Sequence, residues 1–548
     1  DLDAQRAAEQ AVWDQVERLR EQGRRGLGYN LNNAALVAVD PRSGQILAMV
    51  GSPDDQDAEH QGAINMALVP RQPGSALKPI IYAAAFDPKR AQPWTAATSI
   101  LDVQTHFVTH DGQPYTPVNY DGLEHGPVLV RQALASSLNI PAVLTLREIG
   151  LPRLFELGGQ LGLPQPADPQ RYDLSLALGG GEVPLLNLTA AYGAFANGGW
   201  AVVPYAVEEI RDSQGQMLYQ HKPAAPRQVL DERVAWLITD ILSDDAARQL
   251  GFGRSSILNL DRPAAVKTGT TTNFHDNWTI GYTPDLVVGV WAGNASHAAM
   301  RDVNGLTGAA PIWHQAMRSM LAGKLAREFS RPAGLVQVEV CALSGRLPTP
   351  ACPYRRKEWF IAGTEPTSPD PYYRAVVLDS TTGRLADDTT PADRQVAEVA
   401  LDLPPTAHNW ARANELLLWS DLQRSAGSPG TGQDSGAVFG TQASDQGVNP
   451  STGGALQLTS PAPLTTYQIS SSLPLRDQRI PLEAAGPDHL ASVTLWVDGQ
   501  PVAALETPPY RAWWQLAPGK HEAWAEAITG DGERLVSQRV EFTVLESR

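Results

Sequence analysis

A serine is a weak nucleophile until a base takes its proton, and a lysine can be that base only where its surroundings leave the amine neutral. The chain holds seven lysines, and only Lys78 has a serine three residues before it, Ser75. Ser75 follows Pro73-Gly74 and is followed by Ala76-Leu77-Lys78-Pro79 and an apolar run. This order predicts a helix start with Ser75 as N-cap, Pro79 tolerated in the first turn, and Lys78 one turn on, on the same face. An amine is thereby brought to a hydroxyl, while the helix N-terminus offers backbone N–H groups to an anion.

Two further motifs carry related chemistry. Ser137-Leu138-Asn139 is the only Ser-x-Asn in the chain and lies in a helical stretch, Val128 to Val143. There a serine can relay a proton and an amide can hold a peptide carbonyl. Lys267-Thr268-Gly269-Thr270 ends a strand-like run from Pro263. Strand alternation puts Lys267 and Gly269 on one face and both threonines on the other. A glycine there would let an extended peptide lie along the strand edge. Lys267 would meet a carboxylate, the threonine hydroxyls would add hydrogen bonds, and the N–H of Thr270 would join that of Ser75 in an oxyanion hole.

Placing these motifs takes several elements. A chain of 548 residues suggests about three domains. Its 43 Lys and Arg against 59 Asp and Glu give a net charge of −16, which argues against a general binder of nucleic acid or anionic membrane. No apolar run is long enough to span a bilayer, and Asp1-Leu2-Asp3-Ala4 lacks the features of a signal peptide. The missing initial methionine suggests a processed form or a piece of a longer chain.

Residues 1–34 read as an N-terminal connector with an amphipathic helix from Asp3 to Gln22. Residues 35–51 read as a β-hairpin about Pro41-Arg42-Ser43-Gly44. Helical stretches follow to about residue 250, and strands return at 262–270, 276–283 and 285–293. That order predicts an α+β domain over 35–325, its sheet closed by sequence-distant segments. Residues 326–422 read as an irregular Pro-rich subdomain and 423–463 as a flexible linker. Residues 464–548, with short strands and Asp-Gly turns, read as an immunoglobulin-like β-sandwich. Its Trp496, Trp513, Trp514 and Trp524 suit strand packing or a carbohydrate- or protein-binding face.

No cofactor or metal is expected. Cys341 and Cys352 have no histidine near them to complete a zinc site, and pair as a disulfide in an exported protein or remain free thiols otherwise. His106 and His110 lie on a strand entering a turn, and Gly179-Gly180-Gly181-Glu182 opens no phosphate-binding pattern.

In this order, Ser-x-x-Lys, Ser-x-Asn and Lys-Thr-Gly form the pattern of the penicilloyl-serine transferases. Residues 35–325 resemble the transpeptidase domain of class A penicillin-binding proteins. The likeness includes Ala35-Leu-Val-Ala-Val-Asp-Pro-Arg-Ser-Gly44, Pro117-Val-Asn-Tyr-Asp-Gly122, Leu188-Thr-Ala-Ala-Tyr-Gly-Ala-Phe-Ala-Asn-Gly-Gly199 and Asp276-Asn-Trp-Thr-Ile-Gly-Tyr-Thr-Pro284. The Cys341 to Cys352 segment and the C-terminal sandwich resemble the 1C subtype.

The resemblance implies that Ser75 is the acylated nucleophile, Lys78 its base, Ser137 a proton relay and Asn139 a holder of the substrate amide. Lys267, Thr268 and Thr270, with Gly269 in the same substrate-binding strand, would take the carboxylate of a D-Ala-D-Ala stem peptide or of a β-lactam antibiotic. Lys267 would also keep Lys78 neutral by like-charge repulsion. The implied activity is peptidoglycan D,D-transpeptidation on the outer side of the cytoplasmic membrane. Its competitors are a D,D-carboxypeptidase or β-lactamase, and a β-lactam sensor or scaffold. Leu138, where many β-lactamases carry Asp, leans away from that branch. An envelope protein, such as an α2-macroglobulin-like one, is the implied partner of the C-terminal module. Class A proteins also carry a glycosyltransferase domain and a membrane anchor, so the chain is expected to be a truncated product, with membrane contact only through the missing anchor and no nucleic-acid partner.

Overall fold

Every residue of Asn33–Val39 is buried, and strand alternation divides them between two cores. Ala35, Val37 and Val39 enter one core, and Ala34, Leu36 and Ala38 the other. A strand buried on both faces must lie inside a sheet covered by two layers. The computed structural model describes residues 1–22, 29–108, 114–252, 256–271, 274–301, 303–426, 456–461, 466–469, 479–486, 490–507, 510–530 and 532–545. The described residues up to 426 form one unit and those from 456 onward a second.

The first unit is built on a five-stranded antiparallel sheet in the order Ala265–Thr270, Asp276–Thr283, Leu286–Gly293, Asn33–Val39, Ile46–Val50. The Lys-Thr-Gly-Thr strand is therefore an edge, with Gly269 opposite Trp278 and Thr270 opposite Asn277. The helices Lys78–Ala85, Asn139–Ile149, Leu185–Ala196 and Glu232–Leu242 cover one face. Leu2–Gln22 and Ala309–Met320 cover the other.

The stretch read as an N-terminal connector is therefore part of the core. Ala4, Ala8 and Ala11 give the first helix a buried small-residue stripe, and Gln15 Nε2 donates to Thr307 O at 2.7 Å. Among the described residues, no helix is long and apolar enough to cross a membrane.

The Pro-rich stretch is more regular than its composition suggests. Leu335–Cys341 pairs with Arg355–Ile361 and Tyr373–Asp379 with Gln395–Leu401, both antiparallel over their full lengths. Cys341 and Cys352 are joined in a disulfide with Cα atoms 6.0 Å apart. The segment read as a linker begins inside the helix Trp419–Ala426 and extends past the strand Gln457–Ser460; residues 427–455 between them lie outside the described residues.

The second unit is a β-sandwich. Gln457–Ser460, Arg479–Ala485 and Tyr510–Gln515 form one sheet; the other holds Thr466–Gln468, Val540–Leu545, Gly519–Thr529, Leu490–Val497 and Gln500–Leu505, with Arg534–Val536 paired to Gly519–Thr529. Ile480 and Leu482 of the first sheet share one core with Val493, Leu495, Ala525 and Phe542 of the second. Asp498 and Gly499, at φ 50° and 78°, make the tight turn that joins two of its strands. Trp524 stacks on Trp496 with ring centroids 5.8 Å apart and lies under the Arg539 guanidinium.

Candidate active site

Ser75 is not an N-cap. It lies in a short 3-10 turn, Gly74–Leu77, whose last step donates the Lys78 N–H back to Ser75 O before the α-helix begins. The turn is held from several sides. Gly179 packs so closely that a Cβ on it would sit 2.2 Å from Gly74 N, and a Cβ on Gly269 would sit 2.2 Å from Pro73 O. The glycine of the edge strand thus makes room for the Ser75 turn itself. Tyr192 Oη donates to Ala76 O at 2.6 Å, and Trp278 Nε1 to Gln72 O at 2.7 Å. Among the described residues Ser75 Oγ has no hydrogen-bond partner, and Ser75 lines a cleft of about 150 Å³.

Lys78 is fully buried. Its Nζ donates to Ser137 O at 2.7 Å, Leu138 O at 3.0 Å and Asn139 Oδ1 at 2.8 Å. Burial drives its pKa well below the usual lysine value, and the like charge of Lys267 pushes the same way against the opposing pull of Asp102. The helical stretch expected across Val128 to Val143 is broken here. Val130–Ala135 ends before Ser137, which is left-handed at φ 63°, and a new helix starts at Asn139. A non-glycine residue held in that region is strained and persists only where its surroundings fix it.

Lys267 Nζ donates to Ser137 Oγ at 2.7 Å and to Thr268 O at 2.8 Å. Burial, and after it the Arg248 guanidinium, lower its pKa to about 7. At 2% exposure it faces Ser137 and not open solvent, so Thr268 and Thr270 are the groups of this strand that line the cleft. Thr270 Oγ1 also accepts from Gly305 N at 3.1 Å. All eight motif residues therefore meet at one place: Ser75, Ser137, Asn139, Thr268 and Thr270 at the cleft, Lys78 and Lys267 behind it, and Gly269 under the turn.

The residues that support this set lie outside the three motifs. Asn119 Oδ1 accepts the Asn139 N–H at 2.7 Å, and Asn119 Nδ2 donates to both carboxylate oxygens of Asp102 at 2.9 and 2.7 Å. His125 Nδ1 lies 2.6 Å from Asp102 Oδ2 and its Nε2 3.1 Å from Asp121 Oδ2. Burial lowers the His125 pKa, but its hydrogen bonds to the two carboxylates outweigh that and raise it to about 9. The one signal in the sequence was Pro117-Val-Asn-Tyr-Asp-Gly122. Tyr120 and Leu250, also unforeseen, line the cleft and are 71% and 48% exposed. A larger cleft of about 730 Å³ beside Asp87, Arg153 and Asp231 holds none of the three motifs, and volume is a poorer guide here than the convergent side chains. His106 Nδ1 meets Thr116 Oγ1 at 2.8 Å, while His110 lies outside the described residues.

Residues 34–318 match the penicillin binding protein transpeptidase domain, 331–375 the C-terminal domain of penicillin-binding protein 1A, and 445–531 the penicillin-binding protein C-terminus family. Penicillin-binding protein 2D of Bacillus subtilis (strain 168) is 32% identical over 365 residues, 65% of this chain and 51% of that protein. Penicillin-binding protein 1A of Aquifex aeolicus is 34% identical over 333 residues, 61% of this chain and 44% of that protein. The chain spans about half the length of the curated relatives it matches. The crystal structure of penicillin-binding protein 1A from Haemophilus influenzae is similar with a TM-score of 0.54 at 26% identity, covering 62% of this chain and 55% of that one. With a match over more than half of its residues, holding all three motifs in one site, the chain belongs to the penicillin-binding protein transpeptidase family.

Proposed function

We propose that the chain is a serine D,D-transpeptidase that cross-links peptidoglycan stem peptides and is acylated and inhibited by β-lactams. The observation that carries this reading is the meeting of two buried amines at the 137–139 segment, Lys78 bonded to Ser137 O and Asn139 Oδ1 and Lys267 to Ser137 Oγ, behind the cleft that Ser75 lines with Ser137 and Asn139. Lys78, its pKa lowered, takes the Ser75 proton as Oγ attacks the carbonyl carbon of the penultimate D-Ala. The N–H groups of Ser75 and Thr270 hold the developing oxyanion. As the C–N bond breaks, Ser137 gives its proton to the leaving nitrogen and is resupplied by Lys267. Terminal D-Ala leaves; the amine of a second strand then attacks the ester carbonyl and passes a proton through Ser137 to Lys267, and Lys78 returns its proton to Ser75 Oγ as the ester C–O bond breaks. A β-lactam follows the first half, but its leaving nitrogen stays tethered.

Thr268 and Thr270 contact the carboxylate, with Lys267 supplying charge from behind. The Cys341–Cys352 disulfide supports an oxidising, extracytoplasmic location.

Intact mass after incubation with benzylpenicillin tests the reading. One stable adduct is expected, lost in Ser75→Ala; no adduct on the wild-type chain overturns it. D-Ala release from a stem-peptide donor without cross-linked product would assign a carboxypeptidase, and steady penicillin hydrolysis a β-lactamase.

A further inference from the structure

We propose that Asn119, fixed by the buried carboxylate of Asp102, is a positioning residue for acylation: it sets the place of Asn139 and, through it, of Lys78. The proposal rests on the reading of Ser75 as the acylated nucleophile.

Asn139 has two duties at once. Its Oδ1 accepts from Lys78 Nζ at 2.8 Å, and its Nδ2 spends one hydrogen on Val118 O at 2.8 Å. One N–H is left for a substrate carbonyl. Asn139 is also the first residue of its helix, and Leu138 before it has no side chain able to cap the free N–H groups. The cap is supplied from a distant segment. Asn119 Oδ1 accepts from Asn139 N at 2.7 Å and more weakly from Ile140 N at 3.4 Å.

Asn119 is itself held. Besides its two contacts with Asp102, its Nδ2 donates to Leu123 O at 2.8 Å. Asp102 is fully buried at the end of the strand Ser99–Asp102, and its Oδ2 accepts the N–H of His125 at 3.1 Å as well as the contact from His125 Nδ1. A buried carboxylate is costly unless its lone pairs are met, and here they are. Neither Asp102 nor Asn119 lines the cleft; Asp102 acts on Lys78 by its charge, while the uncharged Asn119 reaches it only through the chain of bonds Asp102, Asn119, Asn139, Lys78. A displacement of about 1 Å in such a chain can change a rate by about a hundredfold.

The test uses the full chain and single-turnover acylation by benzylpenicillin, separating the limiting rate constant from the Kd of the non-covalent complex, with thermal unfolding run in parallel. Asn119→Ala is expected to lower the limiting rate constant about 10- to 100-fold while Kd moves by less than about threefold. In an Asn139→Ala background the share carried by the Asn139 side chain is gone, while the capped N–H and the Ser137 and Leu138 carbonyls that hold Lys78 remain, so the same change should slow acylation by less than it does in the wild-type background. Asn119→Asp alone sets two carboxylates against each other and should be slow. Paired with Asp102→Asn it restores a donor between the two positions and keeps an acceptor for the Asn139 N–H, but it sets a carboxylate oxygen against Leu123 O, so the pair should be faster than Asn119→Asp alone and slower than wild type. Wild-type acylation by Asn119→Ala, effects that multiply with those of Asn139→Ala, or a folded pair no faster than Asn119→Asp would each overturn the proposal. A wild-type chain that forms no adduct defeats the reading of Ser75 first, and this proposal falls with it.

Discussion

Lys267 Nζ donates to Ser137 Oγ at 2.7 Å, which leaves the serine's own proton free to travel to a departing nitrogen. Burial and the neighbouring Arg248 bring that amine to about 7. It is therefore charged on the acid side of this value and neutral above it. The second-order acylation constant reports the pKa values of the free protein, so it should fall on the alkaline side of about pH 7 as the charge that attracts the β-lactam carboxylate is lost. Lys267→Arg keeps its charge throughout this range, so the alkaline limb should move out of it. A guanidinium does not return a proton to Ser137, and the rate should drop about 10²-fold or more. Fluorescent-penicillin acylation between about pH 5 and 10 checks both; an unmoved limb would assign it to another group.

Lys78 gives a second pH signature. Removing the amine by Lys78→Met should slow acylation by about 10²–10⁴-fold, the usual contribution of a general base. The folded pKa lies well below the unfolded value of 10.5, so between the two the unfolded chain binds more protons. The penalty of burying the charged amine is fully present below the folded pKa and is relieved as pH rises toward 10.5. The wild-type Tm should therefore gain on that of Lys78→Met as pH is raised. A constant gap would show that Lys78 is not depressed.

The parts of the site that reside in short motifs were legible in the sequence, because Ser75 and Lys78, Ser137 and Asn139, and Lys267 and Thr270 each sit within one turn or strand. The sheet was legible through its apolar alternation. What could not be read were pairings between distant segments. The helix Leu2–Gln22 looks like a connector until its alanine stripe is seen against the sheet. Asn119 and Asp102 look like loop polar residues until the helix start at Asn139 is seen to lack its own cap. Gly269 was assigned to the substrate because Pro73, nearly two hundred positions away, could not be placed beside it.

Two glycines should respond unlike their neighbour. Gly179 is left-handed at φ +84° and would place a Cβ 2.2 Å from Gly74 N, while Gly269 would place one 2.2 Å from Pro73 O. Both obstacles are backbone at the Ser75 turn, which cannot step aside without moving Ser75. Gly179→Ala and Gly269→Ala should each destabilise by about 1–3 kcal/mol. Each should also slow acylation about tenfold or more. At Gly180 the nearest atom is 3.6 Å away, so Gly180→Ala should stay within about 0.5 kcal/mol of wild type. Denaturant midpoints and acylation rates on the three variants separate tight packing against the Ser75 turn from a general cost of replacing glycine.

The contact between Arg131 and Glu358 links the helix before the second motif to a strand more than two hundred residues away. Arg131 Nε donates to Glu358 Oε2 at 2.7 Å, and the guanidinium also reaches Asp240 at 2.5 Å and Asp244 at 3.1 Å. The Glu358 side chain is fully buried and that of Arg131 5% exposed, so neither charge can turn to water if its partner is lost. Glu358→Gln keeps an acceptor oxygen and leaves Arg131 paired with Asp240 and Asp244, so it should destabilise by about 1–3 kcal/mol, below the cost of an uncompensated buried charge. Arg374 and Asp402, 51% and 34% exposed, form the comparison: Arg374→Ala should cost less than about 1 kcal/mol. Arg131 stands in the helix Val130–Ala135, directly before the left-handed Ser137. Faster amide exchange in Glu358→Gln should therefore reach both the hairpin of Leu335–Cys341 with Arg355–Ile361 and the Ser136–Asn139 segment, with slower acylation alongside. Exchange confined to the hairpin, at an unchanged acylation rate, would mean that the pair only docks that hairpin and does not support the site.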